Sequence, residues 1–327
     1  MRAEVPRTER GAALLTVLLL VAVIAVLAGV ALEKLRLATR LGGNAVALDQ
    51  ARAFSFAAET LAVFKISDLL SKSPDKVTLE GGWSGQPFAL SIPNGTATAT
   101  VTDGGNCFNL NSLAIEVTPG VYAAYTPART QFARLIALVD PTARSPDAIA
   151  AAAADWIDSD NSPLDGGAED NVYGGGKLAY RTANTLMTDP SELRAVAGVT
   201  RLDYERLRPW LCTLPVATPS KINVNTVLPE QAPLIAMLGQ ALSVEAVRQA
   251  LLQRPPKGFA NAGAFWSQSA LAGGAGATGA GQTDVKTTWF ALRVDVALGS
   301  TRLEQTGLID ATALPARLVS RQWGERP

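Results

Sequence analysis

From residue 12 to residue 32 the chain carries no charge and is built mostly of Leu, Val and Ala, until Glu33, Lys34 and Arg36 end the run. At about 1.5 Å per residue a helix of that length spans roughly 30 Å, the hydrocarbon thickness of a bilayer. The apolar core of a secretory signal is shorter, about 7–15 residues, and no small-x-small cleavage site precedes a polar start here. The pattern therefore predicts a membrane-spanning helix. Apolar residues keep near-helical spacing beyond it, at Leu35, Leu41, Ala45, Leu48, Phe54, Ala58, Leu61 and Phe64, until Ser71-Lys72-Ser73-Pro74 breaks the run. One spine helix over 12–72 is expected, the alternative being a plain linker helix.

The period then changes to two. Segments 88–92 and 97–101 alternate around Pro93-Asn94-Gly95, and 289–298 and 302–309 flank Gly299-Ser300, so each pair reads as a hairpin. A last strand is expected over 316–322. Between these strands, residues 107–283 read as helix and loop, and the glycine-rich stretch 272–281 as a mobile loop without regular structure. The fold class is thus α+β: strands over 73–106 and 284–327, split by a large all-α insertion over 107–283.

Composition removes several functions. Lys+Arg and Asp+Glu are 29 each, so there is no basic footprint for nucleic acid. The chain has no histidine, which excludes Ser-His-Asp and Cys-His catalysis and His-containing zinc sites. Any metal must be held by oxygen or thiolate. Cys107 and Cys212 stand far apart and form no CxxC pair. In an exported domain they would form a disulfide closing a long loop; two separate buried thiols are the alternative.

The charged leader, with Arg2, Arg7 and Arg10, ends in Glu9-Arg10-Gly11, and Ala12-Ala13-Leu14-Leu15 opens the apolar run. The arginines should stay in the cytoplasm, placing residues after about 33 across the membrane. The junction resembles the leader of type IV pilins and type II secretion pseudopilins. That resemblance implies a leader over 1–11, cut after Gly11 by a prepilin peptidase, with N-methylation of Ala12. Most such proteins carry Glu at the fifth mature position; here it is Thr16, as in the K-type minor pseudopilin. Further on come Phe108-Asn109-Leu110-Asn111, Asp155-Trp156-Ile157-Asp158-Ser159-Asp160, Gly167-Ala168-Glu169-Asp170 with Tyr173, Ser191-Glu192-Leu193-Arg194 and Ile222-Asn223-Val224-Asn225-Thr226. In that order they resemble the general secretion pathway protein K family. The resemblance implies a pilin-like fold, whose spine packs on a small antiparallel sheet, seated at the pseudopilus tip. It implies I- and J-type minor pseudopilins as partners, and through them H- and G-type subunits. It places the chain in the inner membrane, single-pass, with its bulk periplasmic.

Between Asp155 and Gly176 there are six acids (Asp155, Asp158, Asp160, Asp165, Glu169, Asp170) and no basic residue. Carboxylates this dense repel one another unless a hard cation neutralises them, and calcium accepts six to eight oxygens in flexible geometry. The spacing does not fit an EF-hand loop, because Ser162 and Pro163 stand where it needs an acid and a glycine. The family has calcium sites in this part of the molecule, which supports calcium in the loop 155–173. The candidate ligands are Asp158, Asp160, Asp165, Glu169 and Asp170, with Asp155 capping or flanking a helix; a solvated acidic loop is the alternative. No catalytic residues are expected, since nothing marks a sugar-binding cleft around a carboxylate pair.

A rival from another class is a membrane-anchored helix-hairpin-helix protein of the DNA-uptake kind. Residues 221–260 resemble such a module, with Leu238-Gly239-Gln240 at the hairpin and Arg254 and Lys257-Gly258-Phe259 beyond it. Residues 191–210, turning at Gly198, look like a second copy. Phosphate affinity needs several cations, and this hairpin has no basic neighbour in sequence before Arg248.

Overall fold

The structure, a computed structural model, describes residues 7–175, 179–272, 274 and 277–324. Residues 1–6 of the leader and 273, 275 and 276 of the glycine-rich stretch lie outside the described residues. The spine is one helix, α1 (Arg7–Lys72), continuous through Gly11, Ala12 and Thr16. It starts earlier than expected, inside the leader. Its N-terminal part carries an apolar stretch long enough to cross a membrane.

After α1 come β1 (Phe88–Ile92) and β2 (Gly95–Asp103), joined by a tight turn with Asn94 at φ 57°. The chain then enters the insertion. It runs through β3 (Phe108–Asn109), the hairpin β4 (Ala114–Thr118) and β5 (Val121–Ala124), and helices α2 (Thr126–Val139), α3 (Pro146–Asp155), α4 (Asp170–Tyr173) and α5 (Arg201–Leu207). Next are β6 (Leu211–Cys212), β7 (Ile222–Asn223), α6 (Pro233–Ala236), α7 (Val244–Leu252), α8 (Ala262–Trp266), α9 (Ala277–Gln282) and β8 (Thr283–Asp284). The chain returns through β9 (Trp289–Leu298), β10 (Thr301–Asp310) and β11 (Arg317–Trp323). One antiparallel sheet results, in the order β1-β2-β9-β10-β11. Two expectations need correction. The insertion is not all-helical, since among its described residues it carries three two-stranded sheets. Residues 277–282 of the glycine-rich stretch are helical, with Gly279 close against Leu238, so packing overrides the low helix propensity of glycine.

Two cores divide the chain. The first joins α1 to the sheet through Ala51, Ser55, Ala58, Ala62, Ile66 and Leu70, which recur every three or four residues and face Ala97, Ala99, Val294 and Val296. This stripe shares Ala58 with the expected one, and the expected Phe54 packs at its margin, but its other positions differ. Of the large apolar residues named from the sequence, Leu35, Leu41 and Phe64 are exposed. Alanines of α1 share this core with Ala97 and Ala99, while Ile66 and Leu70 are also buried there and Phe54, Val63 and Leu69 pack at its margin. The second core lies within the insertion, around Phe132, Ile157, Leu193, Leu207 and Phe265.

The insertion sits at the end of α1 farthest from its apolar run. Val77, just past the helix, donates its N–H to the Val285 carbonyl, and Lys76 Nζ reaches the Lys257 carbonyl. Asn223 Nδ2 donates to the Val77 carbonyl and to Thr287 Oγ1, while Asn106 Oδ1 accepts the Asn223 N–H. Cys107 and Cys212, both within the insertion, form a disulfide beside this junction, with Cα atoms 5.8 Å apart. Of the two readings of these cysteines, the bridged one holds.

Candidate metal centre

Helix α3 carries Ala150–Ala154, all buried, and ends at Asp155. Asp155 is fully buried and closes the loop that follows it. Its carboxylate accepts the Leu164 N–H at 3.2 Å and the Ala168 N–H at 2.8 Å. Gly167 is required by that closure, because a Cβ there would lie 1.9 Å from Asp155 Oδ2. Asp155 therefore caps the loop from inside.

The closure brings Asp158, Asp160 and Glu169 together, with one carboxylate oxygen from each within 4.8 Å of the others. Asp158 and Glu169 are each only 2% exposed, while Asp160 faces solvent. The other two expected ligands stand apart from this group. Asp165 is exposed on the loop. Asp170 accepts the Thr182 N–H and hydroxyl, both at 3.0 Å, and pairs with Arg181.

Sequence reasoning missed Thr182 and Asn184. Thr182 Oγ1 bonds Glu169 Oε2 as well as Asp170. Asn184 stands at φ 49°, donates its N–H to the Trp156 carbonyl and its Nδ2 to Asn161 Oδ1. A short polar stretch without glycine gave no cue beyond the tolerance of Asn for positive φ.

The electrostatics of the group are unfavourable as it stands. Burial, and then the charges of Asp160, Asp155 and Glu169, push Asp158 up to about 7. Burial raises Glu169 as well, with Asp155, Asp160 and Asp170 adding to it. Among the described residues, Asp158 Oδ1, Glu169 Oε1 and Asn184 Oδ1 are buried with no hydrogen-bond partner. Such oxygens are costly to bury unpaired. Calcium takes oxygens at about 2.3–2.6 Å, so ligand atoms within 4.8 Å of one another fit around one ion. The donor set is all oxygen and suits a hard cation.

The rival phosphate site is already filled by the protein. A Cβ at Gly239, in the turn between α6 and α7, would lie 2.4 Å from the Gly274 carbonyl oxygen. Arg254 is turned inward, donating to the Asn225 and Val227 carbonyls at 2.6 and 2.5 Å. Asn225 in turn clasps both the N–H and the carbonyl of Phe259. The Ile222–Thr226 motif and its partner segment are architecture.

A long helix with an apolar N-terminal run, packed on an antiparallel sheet, with a second domain inserted between strands, defines a pilin-like subunit. The family described as "Type II secretion system (T2SS), protein K" matches residues 106–216 and 222–286. Type II secretion system protein K of Klebsiella pneumoniae is 34% identical over 97% of both chains, and that of Pectobacterium carotovorum subsp. carotovorum 32% over the same shares. The GspK-GspI-GspJ complex of the enterotoxigenic Escherichia coli type 2 secretion system contains a chain similar to this one at TM-score 0.74 and 31% identity. The match covers 85% of this chain and 97% of that one. The chain belongs to the type II secretion system protein K family and is a minor pseudopilin of type II secretion. Nothing in these similarities supports the DNA-binding alternative.

Proposed function

We propose that the chain caps the pseudopilus and starts its assembly with I- and J-type minor pseudopilins, as the solved complex of its relative suggests, and through them with H- and G-type subunits. The observation that carries this reading is the position of the insertion. It lies beyond the membrane-distal end of α1, where a further subunit would otherwise stack. Thr16 agrees with it. In this helix its hydroxyl bonds the Ala13 carbonyl at 2.8 Å, so it offers no carboxylate to a neighbour's N-terminus. Assembly requires a prepilin peptidase to cut after Gly11 and methylate Ala12 in the inner membrane, leaving the bulk in the periplasm. The role is structural, not catalytic. Intact-mass measurement of membrane-extracted protein should show a start at methylated Ala12, lost in cells without the peptidase. An unprocessed start in both strains would overturn the reading.

Calcium is the cation this reading assigns to the insertion. Asp158, Asp160 and Glu169 would hold it, with Asn184 supplying a neutral oxygen. When bound it supplies positive charge to buried carboxylates and no reaction chemistry. Terbium, a calcium substitute, bound beside Trp156 should show indole-sensitised emission that calcium competes away. No emission, with Asp158→Asn as the control, would leave a solvated acidic loop.

A further inference from the structure

Immediately past the apolar run of α1 the chain carries Glu33, Lys34, Arg36 and Arg40. All four are exposed, and α1 does not join the core it shares with the sheet before Ala51. Among the described residues no carboxylate pairs with Lys34, Arg36 or Arg40. The ion pairs that α1 makes there are Asp49–Arg52, Asp68–Lys72 and Glu59–Arg321. Three cations against the one acid, Glu33, leave this segment positive and its charge unspent.

Helix geometry decides what these cations can reach. At about 1.5 Å per residue, Lys34, Arg36 and Arg40 lie about 3, 6 and 12 Å along the axis from Leu32, where the uncharged run ends. The headgroup layer on each face of a bilayer is roughly 5–8 Å deep. Side chains of an α-helix slant toward its N-terminus, and for residues beyond the run that is the direction of the membrane. The long arms of Lys34, Arg36 and Arg40 therefore lean back over the run, whereas those of Arg7 and Arg10, before it, lean away. Arg36 and Arg40, four residues apart, do so on one face of the helix. Cleavage after Gly11 would remove Arg7 and Arg10, so the first cations of the remaining chain are the three beyond the run.

We propose that Lys34, Arg36 and Arg40 form a docking surface for the phosphates of anionic lipid headgroups, in the leaflet at the far end of the membrane helix. Exposed cations without a carboxylate partner, set beside a bilayer surface, are drawn to anionic lipid. Arg36 and Arg40 offer phosphate paired N–H donors, and Lys34 adds a point charge. The contact fixes how deep α1 sits in the bilayer. It rests on the membrane reading of α1 and adds the lipid class and the leaflet, so insertion and lipid preference are measured separately.

The test reconstitutes the full chain in phosphatidylcholine vesicles that carry either spin-labelled phosphatidylglycerol or spin-labelled phosphatidylcholine, and compares the share of each label immobilised by the protein. The parent should favour phosphatidylglycerol. Lys34→Gln, Arg36→Gln and Arg40→Gln together should lower that preference about fivefold, while Arg36→Lys with Arg40→Lys should keep it. The three side chains lie clear of both cores, so the variants should fold as the parent does. An unchanged preference in the triple variant, or a fall seen only in Arg7→Gln with Arg10→Gln, would overturn the proposal and leave the three cations to carboxylates of a partner subunit. Flotation of the vesicles reads insertion first. A chain that fails to float with them overturns the membrane reading as well, whereas one that floats without lipid preference overturns the lipid contact alone.

Discussion

Asp103 and Asp158 are both aspartates removed from bulk water, and the protein treats them in opposite ways. Asp103, at the end of β2, is surrounded by donors: its carboxylate accepts the Gly105 N–H at 2.9 Å and the hydroxyls of Thr226 and Thr287. Asn106 Nδ2 then bonds Thr226 Oγ1, which extends the network into the insertion. Asp158 has the Asp160 N–H as a donor but is otherwise faced by other carboxylates, and one of its oxygens has no partner. The first acid is satisfied by its own chain and ties two domains together. The second is left incomplete by its own chain, which is what a cation site looks like before the ion is counted. Burial and a raised pKa are common to both, so neither distinguishes a structural acid from a ligand; the identity of the neighbours does.

The comparison sharpens under substitution. The largest effect belongs to the disulfide of the insertion. Replacing Cys107 and Cys212 by Ala should cost about 2–5 kcal/mol in chemical denaturation, with or without calcium. Next is the cation itself. Calcium at 100 to 1,000 times its dissociation constant should add about 3–4 kcal/mol, removed by a chelator. Asp158→Asn should lose that gain, yet in chelator it should be more stable than the parent, because it relieves repulsion among the acids. A variant less stable under both conditions would place Asp158 with Asp103.

The third effect is the pH response of the junction. Burial pushes Asp103 up to about 6, against hydrogen bonds from Thr226, Thr287, Gly105 and Asn106 that pull it down. Between about pH 4 and 6 the folded chain therefore binds more protons than the unfolded one. The contribution of this group to stability is full below that window and falls as pH rises through it, by up to ~3 kcal/mol. Asp103→Asn should abolish the fall, and pairing an amide with so many donors should cost about 1–3 kcal/mol. The check is the parent-minus-variant difference in unfolding free energy across that range in excess calcium. A difference that stays flat with pH would mean the carboxylate is ionised throughout.

The spine, both hairpins and the last strand were legible because their signals are periodic and local: apolar runs, alternation, and turns at Asn94 and Gly299. The stripe on α1 was not, since alanines carry little hydropathic weight and the contact with Ala97 and Ala99 is set only once the sheet exists. Among the acids, the sequence located the loop but not the subset that meets. Asp158, Asp160 and Glu169 converge because Asp155 is used up capping Leu164 and Ala168, a pairing that no spacing rule announces. Asp170 is diverted by Thr182, a dozen residues away. The hairpin β4–β5 went unnoticed because its strands are short and bulged.

Asn184 provides the smallest and most specific test of the acid group. Its Oδ1 is buried without a partner, while its N–H and Nδ2 are held by Trp156 and Asn161. If the oxygen faces the cation, removing the side chain should weaken terbium and calcium binding by about 1 kcal/mol, roughly fivefold. Alanine is the wrong replacement, because at φ 49° a Cβ adds about 1–2 kcal/mol of backbone strain that would lower stability with or without the ion. Glycine adopts that conformation freely. Asn184→Gly should therefore weaken cation binding while leaving stability in chelator, and the pH response of Asp103, as in the parent. Unchanged affinity would show that the three carboxylates and water complete the site without it. Weaker binding together with lower stability in chelator would mean that Asn184 holds the loop through Asn161 rather than the ion.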